Sequence, residues 1–262
     1  MKTVSEVIST NKANGNQTLI GYFPAGFPTY NESLEACIAM CESGVDVLEL
    51  GVPYSDPVMD GLVIQQATEA ALENGFRLSQ IFKLVEEIKS RVSTPVLVMT
   101  YWNPVIQYGV RRFAEQLKSS GAAGLITPDL IVDEASEWLS ISEELGLERV
   151  FLATPSSTQE RVNEVTKLSK GFVYAVSTMG ITGAREDLDA AARGVVQKVR
   201  TSDERQNVAV GIGISSASQV SEVNSYADGA IVGSLFVRTY LEGGIQALKR
   251  VTKELSAENL GE

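Results

Sequence analysis

Two acidic residues close together in the chain offer the plainest chemistry. Glu49 interrupts the segment Val45-Asp46-Val47-Leu48-Glu49-Leu50-Gly51, near the end of an apolar, strand-like run. Strand alternation puts Val47 and Glu49 on the face opposite Leu48 and Leu50. A carboxylate on a buried strand is costly unless it is paired or used. Desolvation raises its pKa toward neutrality, which suits a group that must both give and take a proton. The competing explanation is an internal carboxylate tied to a buried base or hydroxyl. The segment that follows, Gly51-Val52-Pro53-Tyr54-Ser55-Asp56-Pro57-Val58-Met59-Asp60-Gly61, is longer than an ordinary connection, stiffened by two prolines and flanked by glycines. It sets Asp56 and Asp60 above the strand that bears Glu49. Asp60 could instead cap a helix starting at Leu62, and Asp56 could simply form a turn.

Composition narrows the alternatives. The chain has 262 residues and no histidine. Imidazole bases, Ser-His-Asp triads and histidine metal sites are therefore excluded, and carboxylates lead for proton transfer. Cys37 and Cys41 are the only two cysteines. Their spacing within a helical stretch makes a poor zinc site, and packing is the expected role. Lys+Arg 22 against Asp+Glu 33 gives a net charge of -11, which disfavours nucleic acid. A small anion remains acceptable, since a few backbone N–H groups can hold a phosphate locally.

Glycines suggest where such an anion would sit. Val210-Gly211-Ile212-Gly213-Ile214-Ser215 precedes a helix beginning near Ser216, and Asp228-Gly229-Ala230-Ile231-Val232-Gly233-Ser234 opens another. Glycine lets backbone N–H groups approach an anion, and the positive helix end favours it. Ordinary tight turns are the alternative. A third segment, Ser177-Thr178-Met179-Gly180-Ile181-Thr182-Gly183-Ala184, suits a lid that excludes water. Tyr174 is either core or a partner of Glu49.

The elements that must position these residues are eight short apolar runs: Thr18–Phe23, Asp46–Gly51, Pro95–Tyr101, Gly124–Thr127, Arg149–Ala153, Phe172–Ser177, Val208–Ile212 and Ala230–Gly233. Nearly continuous apolar character marks parallel strands buried on both faces. Amphipathic stretches intervene at Glu32–Glu42, Leu78–Arg91, Arg111–Ser119, Asp133–Glu144, Gln159–Leu168 and Asp187–Arg200. Eight alternations in this length predict an α/β fold, a (β/α)8 TIM barrel, in one domain over 1–262. An extra N-terminal helix, Val4 to Asn11, would close the barrel bottom through Val4, Val7 and Ile8. Chemistry in such barrels sits at the C-terminal strand ends, where Glu49, Asp60 and the glycine sites all fall. Met1 to Thr10 lacks the apolar core of a secretory signal, and no run approaches the ~18 apolar residues of a membrane span. A soluble, cytoplasmic protein is expected, with no membrane or nucleic-acid partner.

The stretch Leu48-Glu49-Leu50-Gly51-Val52-Pro53-Tyr54-Ser55-Asp56-Pro57-Val58-Met59-Asp60-Gly61 resembles the signature of the tryptophan synthase alpha subunits. Phe23-Pro24-Ala25-Gly26-Phe27-Pro28, Met99-Thr100-Tyr101-Trp102-Asn103-Pro104-Val105, Pro128-Asp129-Leu130 and the glycine sites follow in the same order, so the likeness spans nearly the whole chain. The resemblance implies a lyase of tryptophan biosynthesis that cleaves indole-3-glycerol phosphate to indole and glyceraldehyde 3-phosphate. It implies Glu49 and Asp60 as catalytic, with Tyr174 orienting Glu49. Thr182, Gly183, Gly211, Gly213, Gly233 and Ser234 would belong to the substrate site, chiefly around the phosphate. Tyr22, Ile64, Met99 and Ile212 would enclose the indole ring. No cofactor or metal is implied in this chain. A beta subunit carrying pyridoxal phosphate would be the partner in an alpha2-beta2 tetramer, contacted through Pro53 to Asp60 and Asp129 to Asp133. Tyr54, Ile212 and Ile131 depart from the family's commoner Phe, Phe and Pro.

Two rivals stand beside this reading. One is another phosphate-binding barrel, an isomerase for example; a Schiff-base aldolase would need a lysine on a strand, and the runs above contain none. The other is a catalytically silent subunit that only activates a partner.

Overall fold

The computed structural model describes residues 2–176, 185–211 and 213–256. Nine parallel strands carry the fold: β1 (Leu19–Pro24), β2 (Val47–Gly51), β3 (Val96–Met99), β4 (Gly124–Ile126), β5 (Glu148–Val150), β6 (Leu152–Ala153), β7 (Val173–Val176), β8 (Val208–Gly211) and β9 (Gly229–Val232). Their order is β5-β4-β3-β2-β1-β9-β8-β7-β6. Only Phe151 separates β5 from β6, so the two ends of the sheet are halves of one chain crossing, and the sheet curls into a barrel. The single fifth strand expected at Arg149–Ala153 thus changes partner midway, pairing first with β4 and then with β7. Tilt and stagger in a barrel offer a short strand its two neighbours at different heights.

Helices alternate with the strands outside. They run Tyr30–Glu42, Leu62–Glu73 with Gln80–Arg91, Trp102–Tyr108 with Val110–Ser119, Ser136–Leu145, Gln159–Leu168, Arg185–Ser202, Ala217–Asn224 and Ser234–Ser256, the last kinked at Gly244. The helix expected over Asp133–Glu144 starts instead as a 3-10 turn, Val132–Glu134, where the Ala135 N–H reaches only to Val132. Cys37 is packed in the core beneath these helices.

Alternation sorts the strand side chains into two clusters. Leu48, Leu50, Val96, Val98, Val173 and Val208 face outward and pack against the helices. Ile20, Val47, Leu97, Ile126, Val150, Phe172, Ala209 and Ile231 meet inside the barrel. Val4 and Ile8 of the N-terminal helix, Val4–Ala13, join that inner cluster from below, with Val7 packed at its edge. Thr3 and Glu6 form a capping box at its start. The Glu148 carboxylate accepts hydrogen bonds from Val4 N (2.8 Å) and Ser5 N (3.0 Å), fastening the helix to the foot of β5.

Gly124 shows how tightly the ring is drawn. A Cβ there would collide with the Glu148 backbone carbonyl on the neighbouring strand. Gly124→Ala should therefore cost about 1–3 kcal/mol of stability by overpacking. A denaturant melt reads this directly, and an unchanged midpoint would show that β4 and β5 separate freely.

Candidate active site

Two residues above the inner apolar layer, each strand presents its next inward position. Those positions are Tyr22, Glu49, Met99, Pro128, Leu152, Tyr174, Gly211 and Gly233. All except Glu49 line a cavity of about 660 Å³ at the C-terminal end of the barrel. The alternation read from the sequence therefore carries Glu49 to the mouth of the barrel, directly across from Tyr22 in the strand register.

Glu49 is 0% exposed, and neither carboxylate oxygen has a hydrogen-bond partner among the described residues. No described base or hydroxyl hydrogen-bonds to it, as a tied-down internal carboxylate would require. Tyr174 also belongs to this layer but makes no hydrogen bond to Glu49, so the orienting contact implied by resemblance is absent in this arrangement. Burial alone pushes the Glu49 pKa up to about 8, leaving the carboxyl neutral and ready to donate.

Asp60 stands on the cavity wall, its pKa raised by burial to about 6. It does not cap the following helix. Gly61 occupies the N-cap of Leu62–Glu73, with no side-chain cap. The loop holding Asp60 is anchored elsewhere: Met59 N donates to the Tyr101 hydroxyl (2.9 Å), and Gln65 Nε2 donates to the Asp60 carbonyl (2.8 Å). Tyr54 packs on Tyr101 with ring centroids 5.2 Å apart, and Asn103 Nδ2 donates to its hydroxyl. The Asp56 side chain faces outward and accepts from the Ser55 hydroxyl, while its carbonyl accepts from Val58 N (2.9 Å) in a turn.

The glycines flanking this loop do not serve unusual backbone angles; neither has a positive φ. Gly51 makes room for Tyr22, whose phenol would collide with a Cβ there. Gly211 does the same for Tyr174, whose hydroxyl lies 2.7 Å from where a Cβ would stand. Gly213 does take a left-handed φ of 71°.

Gly211, Gly213, Gly233 and Ser234 come together on one side of the cavity, and Ile64, Met99 and Tyr22 also line it. Thr182, Gly183, Ile212 and the proposed lid from Ser177 to Ala184 lie outside the described residues. Sequence reasoning missed Leu152, Val176, Ile231 and Arg238, which share the lining. Leu152 and Val176 follow from extending the alternation, and Ile231 is the apolar inward position two residues before Gly233. Arg238 was detectable as the residue one helical turn beyond Ser234.

Comparisons with known proteins agree along the whole chain. Residues 8–260 match the family model described as tryptophan synthase alpha chain. The chain is 58% identical over 256 residues to the tryptophan synthase alpha chain of Leifsonia xyli subsp. xyli, covering 98% of each. It is 49% identical over 251 residues to that of Mycobacterium tuberculosis H37Ra, covering 96% of this chain and 92% of the relative. Among solved structures, tryptophan synthase from Mycobacterium tuberculosis superposes with a TM-score of 0.93 at 47% identity, covering 98% of both chains. The alpha subunit from Legionella pneumophila gives 0.89 at 30% identity, again covering 98% of both.

The unpaired state of Glu49 makes stability depend on pH. Its folded pKa of about 8 lies above the unfolded value of 4.5, so the folded state holds the proton more tightly between those pH values. Stability should therefore fall as pH rises from 4.5 through 8. Glu49→Gln should lack that decline, gaining roughly 3–5 kcal/mol over the parent by pH 9. Parallel unfolding curves for the two proteins across this range would contradict an unpaired buried carboxyl.

Proposed function

The chain belongs to the tryptophan synthase alpha chain family, and from that premise we propose that Glu49 and Asp60 perform its lyase reaction in this protein. That reaction, a step of tryptophan biosynthesis, cleaves indole-3-glycerol phosphate to indole and glyceraldehyde 3-phosphate. The observation that carries the assignment is the buried carboxyl of Glu49, without a partner among the described residues, beneath the lining of a largely apolar cavity.

An indole carbon leaves poorly until it is protonated. Neutral Glu49 gives its proton to the ring carbon that bears the glycerol chain. Positive charge then develops at the ring nitrogen, where ionised Asp60 accepts the N–H and stabilises it. The carbon–carbon bond breaks as the neighbouring hydroxyl becomes a carbonyl, and the new Glu49 carboxylate takes the hydroxyl proton. The acid is regenerated and atoms balance, so one side chain serves as acid and then base. Because Glu49 is sealed beneath the cavity lining, its side chain must rotate toward the ligand to reach it. Tyr22, Ile64 and Met99 supply apolar wall for the ring. Gly233 and Ser234 present backbone at the start of the helix Ser234–Ser256, where an anion is favoured, and Gly211 and Gly213 line the same cavity.

The same reading places a beta subunit, with the pyridoxal phosphate it carries, against the mouth of the barrel in an alpha2-beta2 assembly. Val58, Ile106 and Ile131 support it. They are exposed apolar side chains in the connections following β2, β3 and β4, all at the cavity end. Asp129 ties two of these connections together by accepting from Trp102 N (2.8 Å). A cytoplasmic location is consistent with two free thiols, and among the described residues no helix is long and apolar enough to cross a membrane.

Glu49→Gln should abolish indole release while a substrate analogue still binds, since it removes a proton but little volume. Asp60→Asn should lower turnover severely. Most of the activity surviving in the Gln variant would overturn the mechanism, and unchanged turnover in the Asn variant would remove Asp60 from it. The pH profile is a second check. Activity needs Asp60 ionised and Glu49 protonated, so kcat/KM should form a bell with limbs near 6 and 8. A flat profile from 5 to 9 would contradict both roles.

A further inference from the structure

We infer that Arg238 is the side chain that grips the phosphate of the substrate and separates phosphorylated from unphosphorylated ligands. The inference rests on the phosphate-binding reading above and adds a residue to it. Among the described residues lining the cavity, Arg238 is the one cation. It lies four residues after Ser234 on the helix Ser234–Ser256, within the segment before the kink at Gly244. That spacing stacks it on the same helix face as Ser234, one turn along. Helical side chains lean back toward the N-terminus, which directs this one toward the first turn and the cavity it lines. The N–H groups of that turn have no acceptors within the helix, and the positive end of the helix dipole lies there.

Electrostatics set Arg238 apart from the other arginines. Arg91, Arg111, Arg149, Arg161, Arg193 and Arg200 are all held in ion pairs. Arg238 makes no ion pair, hydrogen bond or ring contact among the described residues, in a chain of net charge -11. No carboxylate there competes for it. A guanidinium is charged at every working pH, and its planar fork matches two oxygens of a phosphate. It is exposed to solvent, so little desolvation opposes the contact and salt weakens it.

The test uses the full chain with Arg238→Gln and Arg238→Lys. Binding of glycerol 3-phosphate, followed by calorimetry, needs no turnover, and glycerol and indole serve as uncharged controls. Arg238→Gln should weaken glycerol 3-phosphate binding about tenfold, as expected for a charge-assisted contact, and leave indole binding unchanged. The KM for indole-3-glycerol phosphate should rise in parallel, more than kcat falls. Arg238→Lys should recover much of both, and the gap between parent and Gln variant should shrink as salt is raised. Equal glycerol 3-phosphate affinity in parent and Gln variant would overturn the inference, as would a loss that lysine fails to restore or that extends to indole. A parent that binds glycerol 3-phosphate through Arg238 yet releases no indole would instead sink the proposed reaction and leave this inference standing.

Discussion

The ring of parallel strands imposes a period of two on everything inside it. Once β1 through β9 close, each inward position meets inward positions of the other strands, staggered in height by the strand tilt. Ile20, Val47, Leu97, Ile126, Val150, Phe172, Ala209 and Ile231 form one apolar cluster inside. The next inward positions form the floor and wall of the mouth. Placement of Glu49 is thus a consequence of packing: with Val47 inside, Glu49 must be inside as well, two residues nearer the cavity. The close strand contact at Gly124 and the room made by Gly51 and Gly211 belong to the same geometry.

The fold treats acids at its two rims in opposite ways. At the N-terminal ends of the strands, buried acids are satisfied. Glu148 takes two helix N–H groups, Asp46 takes Leu19 N, and Asp228 takes Val208 N together with Lys12 and Arg200. These contacts bind the plug helix and the strand feet into one body. At the C-terminal ends, Glu49 has no hydrogen-bond partner among the described residues, and the Asp60 side chain accepts no cap hydrogen bond. A buried acid without a partner avoids the penalty of an isolated charge by staying protonated. The reaction proposed above draws on that neutral donor.

Charge within the cavity follows the same economy. Asp60 and Arg238 are its only charged lining residues among those described, and the remaining wall is mostly apolar or glycine. A ligand with a flat apolar ring and an anionic tail matches that distribution. In the site proposed above, a strongly acidic chain would hold such an anion by short-range attraction from a helix start and from Arg238, which has no ion pair among the described residues.

Much of this was legible locally. Eight apolar runs, the helix at Gln159–Leu168 and the plug formed by Val4 and Ile8 follow from periodicity, because a strand or helix buries the face that its own residues define. The inward orientation of Glu49 followed for the same reason. The capping ambiguity at Asp60, the break at Phe151 and the reason for glycine at 51 and 211 did not, since each depends on what stands across a gap in space. Gly51 is needed because of Tyr22, and Gly124 because of Glu148. Local pattern assigned faces to the chain; closure of the barrel decided which acids meet a partner and which are buried without one among the described residues.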